Sequence, residues 1–94
     1  MNVQAEVSLY PLRTVAVGPA VEEFVARLRR VGLEVEVGTM STRIGGECTK
    51  LFAALAESFA AVAGDCQAVL IAKVSNACPV RAQQDKEEND AKST

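Results

Sequence analysis

The feature that most constrains the fold of this chain is the order in which two apolar periodicities follow each other. Four short segments have apolar residues at every second position or nearly throughout, as strands do. Two longer segments have them at every third or fourth position, as amphipathic helices do. The segments alternate in the order strand, helix, strand, strand, helix, strand, which limits the fold to a few small α+β topologies.

The first strand is predicted from Val3 to Leu9, with Pro11 expected to end it because proline cannot donate to a strand ladder. Its alternation separates a core side from a polar side. The core side comprises Val3, Ala5, Val7 and Leu9, and the polar side comprises Gln4, Glu6, Ser8 and Tyr10.

The two helices are bounded by residues that favour helix ends. Gly18 and Pro19 are predicted to open the first helix and Gly32 to end it in a left-handed conformation. The second helix is expected from Glu47, whose carboxylate favours the positive end of the helix dipole, to Gly64. The predicted buried stripe of the second helix comprises Leu51, Phe52, Leu55, Phe59 and Val62.

The remaining strands are predicted at 33–38, 42–45 and 68–74, with Gly45 and Gly46 expected to break the third strand. This element order is typical of the ferredoxin-like βαββαβ sandwich, in which two helices cover one face of a four-stranded antiparallel sheet. The other face would combine polar residues with the apolar Val69 and Ile71. Since such a mixed face is seldom left bare, we expect a homo-oligomer, a dimer or tetramer, that assembles through sheet faces.

The length of 94 residues is enough for one core, and we place a single domain at 1–79. The stretch 80–94 is charged and almost without apolar residues, so a disordered tail is expected there. No apolar run reaches the roughly 20 residues of a membrane span, and the N-terminus lacks the pattern of a signal peptide. We therefore expect a cytoplasmic protein without a membrane partner.

The titratable residues exclude several classes of function. The chain has no histidine, and Cys48, Cys66 and Cys78 are too far apart for a CxxC pair, so we expect reduced thiols, no metal and no cofactor. A net charge of −2 without a long basic stretch argues against a nucleic-acid partner. The sequence shows neither a nucleophile paired with a general base nor a phosphate-binding loop. This argues against an enzyme, so no catalytic residue is assigned.

The polar side of the first strand is the best candidate for a binding site. Glu6, Ser8 and Tyr10 recur at two-residue intervals, so their side chains project in parallel about 6 to 7 Å apart. A carboxylate, a hydroxyl and a ring together suit a flat, nitrogen-rich, partly cationic ligand. From the spacing alone, a solvated polar surface or a surface that faces another subunit is the more usual explanation.

Three stretches resemble one family. "VSLYPL" at 7–12, "GLEVEVGTMSTRIGGE" at 32–47 and "VSNACP" at 74–79 are similar to the thiamine-binding family that includes YKOF-type thiamine- and hydroxymethylpyrimidine-binding proteins. The resemblance implies a ferredoxin-like domain, assembly through sheet faces, and binding of the thiamine pyrimidine as a ligand without catalysis. Some YKOF-type chains carry two such domains in tandem, whereas this chain carries one, so a pocket built from two halves would require two subunits.

The resemblance also points to particular residues. The ligand-binding set that it implies comprises Glu6, Ser8 and Tyr10 of the first strand, Met40, Ser41 and Thr42 between the second and third strands, and Glu47. Several of these have structural alternatives: Glu47 as the first residue of a helix, Met40 as a packing residue, and the two hydroxyl residues as turn formers. A different class of function stays open as well, an oligomeric protein–protein interaction module that binds no metabolite.

Overall fold

The computed structural model describes Met1–Ala77, so Cys78, the end of the predicted domain at residue 79 and the predicted tail at 80–94 lie outside the described residues. The elements are β1 (Asn2–Leu12), α1 (Val17–Arg30), β2 (Glu34–Val37), β3 (Thr42–Glu47), α2 (Cys48–Ala63) and β4 (Gln67–Ser75). Their order is the predicted βαββαβ. No helix in this part of the chain is long and apolar enough to span a membrane.

The four strands form one sheet in the order β2-β3-β1-β4, and every neighbouring pair is antiparallel. The ferredoxin-like fold class is therefore confirmed. β1 is one of the two inner strands and pairs with β3 over Asn2–Val7 and with β4 over Gln4–Leu12. As the fold class implies, β3 separates β1 from β2.

The core lies between the helices and one face of the sheet. Val3, Ala5 and Val7 of β1 are buried there, as the alternation predicts. Phe24 and Leu28 of α1 complete this layer from the helical side. The cluster as a whole comprises Val3, Ala5, Val7, Phe24, Leu28, Leu33, Ile44, Leu51, Ala54, Leu55 and Val62.

The prediction that Gly32 and Gly64 end the two helices is confirmed. Gly32 follows α1 with a φ of +86°, the left-handed conformation in which a side chain is strained. Gly64 is the C-terminal cap of α2, and its N–H donates to the carbonyl of Ala60.

The prediction that Pro11 ends the first strand is wrong. β1 continues to Leu12, and Pro11 lies opposite Ala68 of β4. Pairing between β1 and β3 ends at Val7, so at Pro11 the strand β1 is paired with β4 alone. A strand tolerates a residue without an N–H where one of its sides is unpaired, which explains the difference.

The predicted buried stripe of α2 is wrong at one position. Phe52 is 51% exposed, whereas Leu51, Ala54, Leu55, Ser58 and Val62 are buried. The buried residues centre on Leu51, and Phe52 is turned about 100° from it around the helix axis. The apolar periodicity of the helix did not predict the burial of Ser58, because serine is polar.

The third strand also differs from its prediction, because β3 passes through Gly45 and Gly46 to Glu47 instead of breaking at them. A Cβ on Gly46 would lie 2.6 Å from Cδ2 of Leu33. Gly46 leaves room for the buried Leu33 side chain, which would have to shift if a Cβ were added, and it does not interrupt the ladder.

We expect Gly46→Ala to lower the free energy of unfolding by about 1–3 kcal/mol, because an added methyl overpacks the contact with buried Leu33. Urea denaturation followed by circular dichroism measures the change. Gly18→Ala is the matched control: it lies in α1, a Cβ there meets nothing within 4 Å, and a neutral or slightly stabilising effect is expected. Equal stability of the two variants would contradict this account of Gly46.

Candidate functional site

The sheet has a face that the helices do not cover, which we call the open face. Because directly opposed residues of paired strands share a face, the register identifies its members. They include Gln4, Glu6, Ser8 and Tyr10 of β1, Glu34 and Glu36 of β2, Arg43 of β3, and Val69, Ile71 and Lys73 of β4. The predicted polar side of the first strand thus lies on this face.

Four charged residues cross the open face in one line, which we call the charged row. Glu36 lies opposite Arg43, Arg43 opposite Glu6, and Glu6 opposite Lys73. Arg43 forms an ion pair with Glu36, and the Lys73 Nζ lies 3.3 Å from Oε1 of Glu6. Glu6 is therefore set among positive charges at the centre of the sheet.

The Glu6 carboxylate is held in its ionised form. A hydrogen bond donated by the Ser41 hydroxyl is the largest cause, followed by the hydrogen bond and charge of Lys73 and the charge of Arg43, and together they lower the pKa of Glu6 below its ordinary value. Half of the side chain is exposed to solvent. Glu6 can therefore accept hydrogen bonds from a ligand as an anion at neutral pH.

Ser41 reaches Glu6 because of the tight turn between β2 and β3. The Gly38 N–H donates to the Ser41 carbonyl over 2.9 Å, which closes the turn. A Cβ on Gly38 would lie 2.8 Å from the same oxygen, so the close approach requires glycine. The turn thus places Ser41, a residue of the predicted set, beside the first strand.

Next to the charged row lies a group of exposed apolar side chains, which we call the apolar corner: Tyr10, Leu12, Val69 and Ile71. Ile71 lies opposite Ser8, and Val69 lies opposite Tyr10. All four members are between 43% and 53% exposed. A ring bound over Ser8 would have the Glu6 carboxylate on one side and the apolar corner on the other.

The structure brings only part of the predicted ligand-binding set together. Glu6, Ser8, Tyr10 and Ser41 lie around one area of the open face. Met40 stands in the β2–β3 turn with 89% of its surface exposed. Thr42 is opposite Val7, on the helical side of the sheet, and is buried.

Glu47 has a structural role. It is the N-cap of α2, where its Oε1 accepts a hydrogen bond from the Lys50 N–H over 3.1 Å, and its other carboxylate oxygen lies 3.9 Å from the N-terminal ammonium of Met1. The structural alternative for this residue therefore accounts for its position.

Sequence reasoning did not place Lys73 and Arg43 beside Glu6. The alternation of their strands and the strand order of the fold class place both residues on strands beside β1, but only the register sets them opposite Glu6. Within Met1–Ala77 no group of three or more potential metal-ligating side chains occurs.

Comparison with protein-family models gives one match, to the thiamine-binding protein family, over residues 5–87. The chain belongs to this family. The match runs from within β1 past the end of β4 and contains the open-face residues named above except Gln4. Comparison with curated protein sequences gave no match.

Several solved structures have the same fold at low sequence identity. A hypothetical protein from Methanocaldococcus jannascii has 22% identity and a TM-score of 0.77, with 99% of this chain and 98% of that chain covered. A putative thiamine biosynthesis/salvage protein from Thermotoga maritima has 14% identity and a TM-score of 0.76, with 95% and 99% covered. A domain of unknown function from Bacillus cereus has 20% identity and a TM-score of 0.75, with 89% and 86% covered. At these identities the likeness shows the fold.

We expect Ser41→Ala to raise the pKa of Glu6, because the hydrogen bond that most favours the carboxylate is removed. Carboxyl chemical shifts followed by NMR across an acid titration measure the change. Ser75→Ala, also on the open face, is the control that should leave the Glu6 titration in place. An unchanged Glu6 titration in Ser41→Ala would contradict the hydrogen bond.

The same shift gives a pH dependence of stability. Because the pKa of Glu6 is lower in the folded chain than in the unfolded one, the Glu6 contacts stabilise the fold above the unfolded pKa. This contribution is lost as the pH falls through the folded pKa. Urea denaturation as a function of pH should show a smaller loss at acid pH in Glu6→Gln than in the original chain.

Proposed function

We propose that this chain binds thiamine or its hydroxymethylpyrimidine moiety on the open face, without catalysing a reaction and without a further cofactor. Membership of the thiamine-binding protein family supports the ligand class. The observation that carries the proposal for the site is the Glu6 carboxylate, kept ionised beside two hydroxyls and the Tyr10 ring. A carrier, storage or sensor role would each use such a site.

The chemistry of the site matches an aminopyrimidine. An exocyclic amino group donates hydrogen bonds, and the Glu6 carboxylate is a pure acceptor. Ser8 can donate or accept at a ring nitrogen, whereas Ser41, whose O–H is donated to Glu6, can accept. The Tyr10 ring and the half-exposed Ile71 and Val69 side chains offer a flat apolar contact. Of the predicted set, we retain Glu6, Ser8, Tyr10, Ser41 and Met40 as the proposed binding residues.

As part of the same proposal, copies of the chain assemble through their open faces and enclose the ligand between subunits, in a dimer or tetramer. The support is the exposure of the apolar corner, which a monomer would leave in water. We propose the cytoplasm as the location, because Cys48 and Cys66 are both free thiols, as is usual in a reducing compartment.

We expect calorimetric titration to show binding of thiamine or hydroxymethylpyrimidine, and Glu6→Gln to weaken it about 10- to 100-fold, the usual cost of removing a charged hydrogen-bond acceptor. Glu34→Gln is the matched control, since it removes the same charge from the open face on the distant strand β2. Ligand at about one hundred times its Kd should also stabilise the fold by about 2.7 kcal/mol, which a melting curve resolves. No heat and no thermal shift at millimolar ligand would refute the proposal.

The exposed apolar corner also favours a second candidate, an interaction module that uses the open face to bind protein and takes no metabolite. In that case Glu6→Gln combined with Ser8→Ala should leave the cellular function that depends on protein binding unchanged. Val69→Asp should abolish that function. Val15→Asp, at a fully exposed loop residue away from the sheet, is the control for an added charge. Loss of activity in the Glu6 and Ser8 double variant would favour the ligand site.

A further inference from the structure

Lys73 gives the open face a hydrogen-bond donor directly beside the acceptor Glu6. Its Nζ lies 3.3 Å from Oε1 of Glu6, and 80% of the lysine side chain is exposed to solvent. An ammonium group has three N–H donors, and the contact with one carboxylate oxygen uses one of them. Lys73 can therefore keep its ion pair with Glu6 and still donate to a ligand that lies over the sheet.

Two further donors follow Lys73 along the same face. Ser75 is the next residue of β4 on this face, about 6 to 7 Å further on, and it lies opposite Gln4 of β1. The Ser75 oxygen accepts the N–H of Ala77 over 2.9 Å, which leaves the hydroxyl hydrogen for another acceptor. The Gln4 amide carries N–H donors as well. We call Lys73, Ser75 and Gln4 the donor group.

β4 is the strand of the sheet that lies farthest from the acidic strand β2. Lys73 and Arg43 flank Glu6, so this carboxylate already has a positive charge on either side. Glu34 and Glu36 belong to β2, and three strand spacings of about 4.8 Å separate β2 from β4. A negative group bound beside Lys73 is therefore attracted at short range, while the carboxylates of β2 repel it from across the sheet.

These groups orient the proposed pyrimidine ligand. In hydroxymethylpyrimidine, the amino group and the oxygen-bearing methylene are on adjacent ring carbons, and the methyl group is on the carbon opposite the methylene. A ring over Ser8 and Ile71, which lie opposite each other, has the apolar contact that its faces need. With its amino group at Glu6, the methylene lies beside Lys73, the residue opposite Glu6 on β4. The methyl group then points to Tyr10 of the apolar corner.

The group on that methylene differs between the candidate ligands. The alcohol carries a hydroxyl oxygen, which accepts from the Lys73 ammonium, and a phosphate ester carries a charge of about −2 near neutral pH. Thiamine has a thiazolium nitrogen at the same place, with a positive charge and no lone pair to accept a hydrogen bond. Since like charges repel at short range, Lys73 favours the oxygen-bearing pyrimidines over thiamine.

We propose that Lys73 determines the specificity of the open face, and that its preferred ligand is the phosphate ester of hydroxymethylpyrimidine, with the phosphate bound by the donor group. The free alcohol binds less tightly, because its oxygen contacts Lys73 alone. Thiamine binds least tightly of the three. This assignment rests on the proposed function, which supplies the pyrimidine, and adds to it the chemical class of the group bound beside the ring.

Calorimetric titration with the phosphate ester, the alcohol and thiamine tests this order. At about pH 8, both a glutamate and a phosphate ester are fully ionised. We expect the original chain to bind the ester at least about tenfold more tightly than thiamine, the difference that one charge-assisted contact makes. Lys73→Met should raise the Kd of the ester about 10- to 100-fold and lower the Kd of thiamine, because the Glu6 charge is then less neutralised. Lys73→Arg keeps the positive charge and should keep the preference for the ester.

The readout is the ratio of the Kd values for thiamine and the ester, since a merely structural effect of Lys73→Met would weaken both ligands alike. Lys50→Met is the matched control: it removes an exposed lysine from α2, on the helical side of the sheet, and should leave every affinity unchanged. Ser75→Ala should weaken the ester about three- to tenfold and leave the alcohol unaffected. Inorganic phosphate alone should give no heat at concentrations at which the ester saturates the chain.

Thiamine that binds as tightly as the ester would overturn the specificity assigned to Lys73. So would a Kd ratio that Lys73→Met leaves unchanged, or inorganic phosphate that binds as tightly as the ester, because the ring would then contribute nothing. In the first two cases a pyrimidine still binds, so the proposed function stands without this specificity. No heat with any of the three pyrimidines would refute the proposed function itself, and the role of Lys73 with it.

Discussion

The pairing of β1 on both of its sides is the constraint on which the rest of the structure depends. Val3, Ala5 and Val7 of this strand are buried under the helices, while Glu6 and Ser8 emerge on the opposite face. Because side chains alternate along a strand, a shift of one residue in register would exchange the two sets and expose the core. The burial of three apolar side chains therefore fixes where the Glu6 carboxylate stands.

The local environment of Glu6 follows from that position. β3 and β4 are its neighbours on either side, so the residues opposite it, Arg43 and Lys73, are both basic and both on the open face. Ser41 joins them only because the β2–β3 turn closes tightly at Gly38. A binding group of this kind draws its contacts from three strands and a turn, and the packing of the core holds all of them in place.

The sequence was sufficient for the element order and for the faces of the strands, because periodicity reports directly which side of an element is buried. The sequence was insufficient at positions where tertiary contacts decide whether a strand continues. Pro11 stays within a strand because β3 has already ended, and Gly46 stays within a strand because Leu33 packs against it. The contact between Glu6 and Ser41 depends on strand order and turn shape, and the role of Lys73 depends on the register of β4; no local pattern contains either.

Pro11 has a consequence for the behaviour of the sheet as a whole. From Ser8 onwards, the side of β1 that faces away from β4 has no strand pairing in the described part of the chain. An unpaired strand flank is a template on which another extended chain can grow by hydrogen bonding. Proline has a fixed φ and lacks an N–H, so Pro11 interrupts that template and disfavours the addition of a strand beside Tyr10. The Tyr10 ring itself stays accessible to a small molecule.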